Sequence, residues 1–288
     1  MRANIPQSLL LFALVACSGT EERAAAPARR PADRPAAAPA LRIDGELAID
    51  SELVARQVAP GAYVVTHVPF HASNVLVVRM ADSSLVVCSS PFETEGTRAL
   101  LRWLETSFHP RRIIAINTHF HLDGTGGNAA YAEAGVETIA SRQTAALLAE
   151  RGAALRDSAA AGFADPLLRA RVERVELVPP RRTFDAAAGL TLTIAGEEVR
   201  VLHPGPAHSP DNVVVHFPAR DLLFGGCMIK SAGASIGYTG DADLAHWEDA
   251  VRALEPLAPR IVVPGHGAVG GPELFAGTIE IVRAARVP

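Results

Sequence analysis

Lysine is nearly missing from this 288-residue chain: Lys230 stands alone, which leaves 26 arginines among the 27 basic residues. A formal charge of −4 provides no basic footprint of the kind nucleic acid requires, so nucleic-acid binding is set aside. Three cysteines, Cys17, Cys88 and Cys227, are too few and too scattered for a disulfide scaffold. Long apolar runs are absent as well. The one membrane-like stretch, residues 9–16, falls well short of the roughly 20 residues a spanning helix needs, which excludes an integral membrane enzyme. There is no Gly-X-Ser-X-Gly run, and Ser209 sits beside His208 with no base arrangement, so serine nucleophile chemistry has no support. In a chain so biased toward arginine, one retained lysine points to a place where a guanidinium would not serve.

What is present divides the chain into three parts. Residues 1–17 combine Arg2 with an apolar stretch and end in Leu14-Val15-Ala16-Cys17. That tetrad resembles the bacterial lipobox, which implies a signal peptide and acylation at Cys17; Ser18 in the next position implies the outer membrane, facing the periplasm. Residues 18–40 place Pro27, Pro31, Pro35 and Pro39 among alanines and arginines, with too few large apolar groups to pack, and read as a disordered linker. Residues 41–288 are 288 − 40 = 248 in number, enough for one large domain with its own core.

Within that domain, β-branched runs at 62–65, 74–78, 85–88 and 113–116 read as strands, with a helix carrying Leu100, Leu101, Leu104 and Phe108 between the last two. A helical stretch over 143–172 is interrupted near Gly162 and Pro166, and further strands are expected at 190–194, 199–202, 213–216, 222–224 and 261–263. Helices around Trp247 and over 273–286 complete the pattern. Strands and helices in both halves, with no internal repeat, predict a layered α/β domain.

The strongest chemical signal follows the strand at 113–116: His119-Phe120-His121-Leu122-Asp123-Gly124-Thr125-Gly126-Gly127. Two histidines two residues apart and a carboxylate two further on can converge on one small space, and the glycines allow tight turns. Three later strand ends each offer one more donor, His208, Cys227 and His266, all in Gly/Pro-rich turns. Five nitrogen and sulfur donors with Asp123 suffice for two borderline-soft metal ions, and zinc suits that mixture best. Cys88 reads as a packed strand residue, and His109, His203, His216 and His246 as structural or surface groups.

These segments, together with His208-Ser209-Pro210-Asp211-Asn212, Gly225-Gly226-Cys227-Met228-Ile229-Lys230 and Thr239-Gly240-Asp241-Ala242-Asp243, resemble the metallo-β-lactamases, in the subclass whose second zinc site is Asp-Cys-His. The resemblance runs from about residue 62 to 287. It implies an αββα sandwich of two sheets between helices. It also implies two Zn2+ per chain, one at His119, His121 and His208 and the other at Asp123, Cys227 and His266. The implied reaction is hydrolysis of a β-lactam amide by a zinc-held hydroxide, with Asp123 orienting the nucleophile and Lys230 pairing with the carboxylate of the small-molecule substrate. A tethered enzyme of this kind is expected to be a monomer.

The chain also departs from the family pattern. Tyr238 stands near the family's oxyanion asparagine and is a candidate replacement donor. Ser89 stands where the family has an aspartate behind the ligands, a loss that lowers metal affinity or activity. Residues 66–73 correspond to the flap over the substrate, with Phe70 a candidate apolar contact and His67 and His71 expected as exposed loop histidines. Arginines of the 143–179 segment read as a solvated helix face. Two rival readings are a hydrolase of thioesters, lactones or phosphoesters on the same fold, which Gly124 and Cys227 disfavour, and a non-catalytic zinc-holding envelope lipoprotein.

Overall fold

The structure, a computed structural model, describes residues 45–286. The expected signal peptide, the linker and Cys17 lie outside the described residues. Thirteen strands form two sheets. The first has eight strands in sequence order: β1 (Glu46–Ala48), β2 (Leu53–Ala59), β3 (Ala62–His67), β4 (Ser73–Arg79), β5 (Leu85–Cys88), β6 (Ile113–Ile116), β7 (Glu137–Ser141) and β8 (Arg182–Phe184). The second runs β13 (Ile261–Pro264), β12 (Leu222–Gly226), β11 (Val214–Phe217), β10 (Glu197–Leu202) and β9 (Leu190–Ile194). The hairpins pair antiparallel, whereas β5–β6, β6–β7, β7–β8 and β12–β13 are parallel.

Side-chain alternation sorts residues onto the two faces of each sheet. Leu76, Val78, Val86, Ile114 and Ile116 of the first sheet meet Val199, Val201, Val215, Phe217, Phe224 and Val263 of the second in a shared core. Their alternates, among them Val75, Val77, Val87 and Ala115, pack outward on Leu100, Trp103 and Leu104 of α1 (Thr94–Phe108) and on Ala130 and Tyr131 of α3 (Asn128–Glu133). On the second sheet Val214, Leu223 and Val262 meet α6 (Trp247–Arg252) and α7 (Glu273–Ala285). Each fully buried large apolar side chain contributes about 1.5–3 kcal/mol against exposure, and the result is the αββα sandwich expected from the sequence.

Two further helices shape the functional end. Helix α4 (Arg142–Gly162) starts where Ser141 Oγ accepts the Thr144 N–H. Its end near Gly162 and the start of α5 (Pro166–Glu173), capped by Asp165 with Pro166 in the first turn, match the sequence reading. The strands β1, β2, β7 and β8, the four-residue helix α2 (Leu122–Thr125) and α3 were not read from sequence. Among the described residues no helix is long and apolar enough to cross a membrane.

Candidate metal centre

The His119–Asp123 loop leaves the C-terminal end of β6 and runs into α2, and it is braced from behind. Asn117 Nδ2 donates to the Gly124 carbonyl at 2.7 Å and to Asn128 Oδ1 at 2.9 Å, while Thr125 Oγ1 donates to the Phe120 and His121 carbonyls. A Cβ on Gly124 would strike the His119 carbonyl and lie 2.9 Å from His119 Nδ1, so the turn accepts only glycine without shifting the imidazole. His208 projects from the loop between β10 and β11, where Asn212 Oδ1 accepts the Ser209 N–H and Asn212 Nδ2 donates to the Gly205 carbonyl. Cys227 directly follows β12, and His266 lies two residues beyond the end of β13. Those parallel strands end so close together that a Cβ on Gly265 would sit 2.5 Å from Cys227 Sγ.

All six expected donors converge. Their ligand atoms fall into overlapping trios, each within 4.8 Å: His119, His121 and Asp123; His119, His208 and Cys227; Asp123, Cys227 and His266. The last trio is the second site implied by the resemblance. The implied first site is a cluster of three mutually adjacent rings, with centroids 4.8 Å apart for His119 and His121, 5.3 Å for His119 and His208, and 4.9 Å for His121 and His208. Asp123 lies between the groups: Oδ1 is 3.2 Å from His119 Nε2, and Oδ2 is 3.2 Å from His266 Nε2 and accepts the Cys227 thiol at 2.7 Å.

Several features fit zinc. His119 Nε2 is buried with no hydrogen-bond partner. The far nitrogens of two rings are engaged in the way metal-ligating histidines usually are: His121 Nε2 donates to Asp241 Oδ2 at 3.0 Å, and His266 Nδ1 donates to the His71 carbonyl at 2.9 Å. Those bonds direct His121 Nδ1 and His266 Nε2 into the cluster, where His121 Nδ1 faces His208 Nε2 at 3.1 Å and His266 Nε2 faces Asp123 Oδ2 at 3.2 Å. Four imidazoles, a carboxylate and a thiol are a zinc donor set.

Electrostatics of the donor cluster follow from burial and close charge. Burial would raise Asp123, but His119 and His266 outweigh it and hold the carboxyl well below the usual range. Burial, with Asp123 beside it, pushes the Cys227 thiol up to about 11. His208 is driven well below the ordinary imidazole value by burial and by its histidine neighbours. Burial also lowers Lys230.

A cavity of about 530 Å³ opens on this cluster and is lined by His121, Asp123, His208, Cys227, His266 and Lys230. Lys230 is 9% exposed, its ammonium lies 5.2 Å from the Trp247 ring centre, and it has no hydrogen bond or ion pair among the described residues. Tyr238 lines the cavity too, with its ring edge-on to His121. Its hydroxyl donates to Asp241 Oδ2 at 3.3 Å, so the proton expected to serve an oxyanion is committed to a carboxylate.

Phe70 requires a correction. It is fully buried and stacks on Phe92 at 5.4 Å, meets Phe163 edge-on at 5.4 Å, and lies 5.0 Å beneath the Arg171 guanidinium. A ring walled in on these sides cannot contact substrate, and it does not line the cavity. His67 is likewise buried rather than exposed, beneath the same turn, whereas His71 is exposed and lines the cavity. Ser89 occupies the expected position behind the site: its Oγ is 2.6 Å from Thr118 Oγ1, which lies 3.4 Å from His119 Nδ1, so a chain of hydroxyls replaces the carboxylate.

Two residues with structural reach into the site were missed. Asp241 belongs to a run singled out in the sequence, yet only the fold shows it holding His121. Arg151 of α4, grouped with a solvated face, reaches Asp241 Oδ1 at 3.4 Å.

Comparison with known proteins places this geometry. Residues 68–266 match the family described as the metallo-beta-lactamase superfamily. A metallo-beta-lactamase type 2 of Bacteroides fragilis is 32% identical over 215 residues, covering 73% of this chain and 75% of the relative. One from Bacillus cereus is 28% identical over 214 residues, covering 73% of each. Among solved structures, the metallo-beta-lactamase FIM-1 of Pseudomonas aeruginosa in its mono-zinc form superposes with a TM-score of 0.67 at 27% identity, covering 84% of this chain and 99% of that one. A metallo-beta-lactamase of Erythrobacter litoralis gives 0.68 at 26% identity, covering 83% and 100%.

Proposed function

The chain belongs to the metallo-beta-lactamase superfamily and is a hydrolase, and from that membership we propose that it cleaves the amide of β-lactams with two zinc ions bound. The proposed ligands are His119, His121 and His208 for one ion and Asp123, Cys227 and His266 for the other. When bound, zinc supplies Lewis acidity toward the carbonyl and lowers the pKa of water to about 7.

The observation that carries the reading is Lys230, the chain's one lysine, a buried residue whose ammonium has no hydrogen-bond or ionic partner among the described residues and lies in the wall of the cavity lined by five of the six donors. A cation in a largely buried site with only an aromatic face beside it is stabilised further when an anion meets it. The carboxylate of a β-lactam is such an anion, and docking it at Nζ leaves the fused amide over the cluster. Asp123 Oδ1, between the two donor groups, accepts a hydrogen bond from the attacking water and fixes its orientation. The buried thiol of Cys227 gives up its proton when it binds metal, and the departing amide nitrogen takes a proton from water. Tyr238 forms part of the wall, and Asp241 keeps His121 in the tautomer that presents Nδ1.

The location proposed with this activity is periplasmic, as a monomer anchored through acylated Cys17, on the strength of Leu14-Val15-Ala16-Cys17. The test is hydrolysis of a chromogenic cephalosporin by purified protein, with and without a chelator, and with Cys227→Ser. Turnover abolished by chelation and strongly reduced in the variant is expected. Zinc binding with turnover of a thioester or lactone alone would shift the substrate class, and zinc binding with no turnover of any of them would leave a non-catalytic metal-holding protein.

A further inference from the structure

With Phe70 locked beneath its turn, the apolar contact expected of the flap must come from elsewhere, and α4 offers it. Leu155, Ser158, Ala159 and Gly162 all line the cavity. Their spacing of three, one and three residues puts them on a single helix face. Leu155 and Ala159 are half-buried, each resting one side on a core cluster while the other side faces the cavity, and Ser158 and Gly162 are exposed. One turn before Leu155 on the same face, Arg151 reaches Asp241, which in turn accepts from His121, so the cavity-facing side of α4 is tied to the donor cluster.

Independently, the same cavity is lined by Lys230, a residue nine-tenths buried whose ammonium rests over the Trp247 ring and has no hydrogen-bond or ionic partner among the described residues. The cavity therefore presents three chemistries together: a cation for a carboxylate, a donor cluster for the reacting bond, and a largely apolar helical wall. We infer that the α4 face formed by Leu155, Ser158 and Ala159 is the subsite for an apolar side group of the substrate, and that it sets side-group selectivity where the buried Phe70 does not. This assignment rests on the hydrolase reading above and names the part of the substrate that reading leaves open. The ligand it calls for carries a carboxylate, a group that reaches the zinc donors, and an alkyl or aryl substituent.

Binding rather than turnover tests it. The zinc-loaded protein is titrated calorimetrically with mercaptoacetate and with 2-mercapto-3-phenylpropanoate, which share a thiolate and a carboxylate and differ by the benzyl group. The benzyl ligand is expected to bind at least tenfold tighter. Leu155→Ala is expected to cut that preference roughly three- to tenfold, in line with the apolar surface removed, through a loss confined to the benzyl ligand. Ser158→Asp, at an exposed helical position that does not contribute to the core, is expected to cut it similarly, so a folding defect in the leucine variant does not decide the matter. Equal affinity of the two ligands for the parent, or equal losses for both in the variants, would overturn the assignment. Absence of cephalosporin turnover would overturn the β-lactamase reading while leaving this binding result standing, so the two failures are separable.

Discussion

His67 makes stability depend on pH in a way the structure quantifies. Its ring is fully buried, and Nδ1 accepts the Phe92 N–H at 3.2 Å, so the neutral ring carries its proton on Nε2. Nε2 lies 3.7 Å from Glu52, the residue before β2, and 3.9 Å from Glu93, the capping residue of α1. Both acids are bridged by Arg171 of α5 at 2.8 Å. Burial pushes the imidazole from 6.5 down to about 4, the pull of Glu93 and Glu52 being too weak to offset it and Arg171 acting against it. The folded value lies below the unfolded one, so between them the unfolded chain binds more protons and stability rises with pH. The contribution is complete above pH 6.5 and is lost as pH falls toward 4. The gap between 6.5 and about 4, at about 1.36 kcal/mol per pH unit, amounts to about 3 kcal/mol, of which about 2 kcal/mol disappears between pH 7 and pH 5. His67→Asn keeps an acceptor for the Phe92 N–H and removes the titration. Urea unfolding followed by circular dichroism at pH 7 and pH 5, for parent and variant, isolates the difference. A parent that loses no more stability than the variant over this interval would refute the reasoning.

Two further substitutions test the site. Tyr238→Phe removes a hydroxyl that donates to Asp241, so cephalosporin turnover is expected to fall by no more than about tenfold, the worth of one ordinary hydrogen bond; a loss of 10²–10³ in kcat at unchanged KM would instead identify an oxyanion donor. Gly124→Ala drives a methyl against the His119 carbonyl and ring, and is expected to cost about 1–3 kcal/mol of stability and to weaken zinc in competition with a chromophoric chelator; unchanged zinc affinity and Tm would contradict the packing described.

The donors were legible because each ends an apolar strand and is followed by turn residues, so local pattern alone brings His119, His121, Asp123, His208, Cys227 and His266 to one edge of the sheets. The main strands and the break at Gly162 were legible for the same reason, as periodicity and punctuation are local. Phe70 and His67 were misread because position along a turn does not reveal which way a side chain points. That is decided by Phe92, Phe163 and Arg171, which arrive from 22 to 101 residues further along the chain. Asp241 and Arg151 carried no periodic signature for their roles, since one hydrogen bond 120 residues long in sequence and another spanning 90 leave no trace in either segment. The strands β1 and β8 are three residues long and largely exposed, and they owe their form to paired neighbours rather than to their own composition.

Three of the six donors arrive before residue 124 and three after residue 207, each trio borne by a different sheet. Each proposed ion draws on both portions, His119 and His121 with His208 for one and Asp123 with Cys227 and His266 for the other, so an occupied centre works as a rivet through the seam of the sandwich. Metal uptake by this chain is thereby a report on tertiary assembly: a polypeptide in which the sheets have not docked has nothing but half-sites to offer.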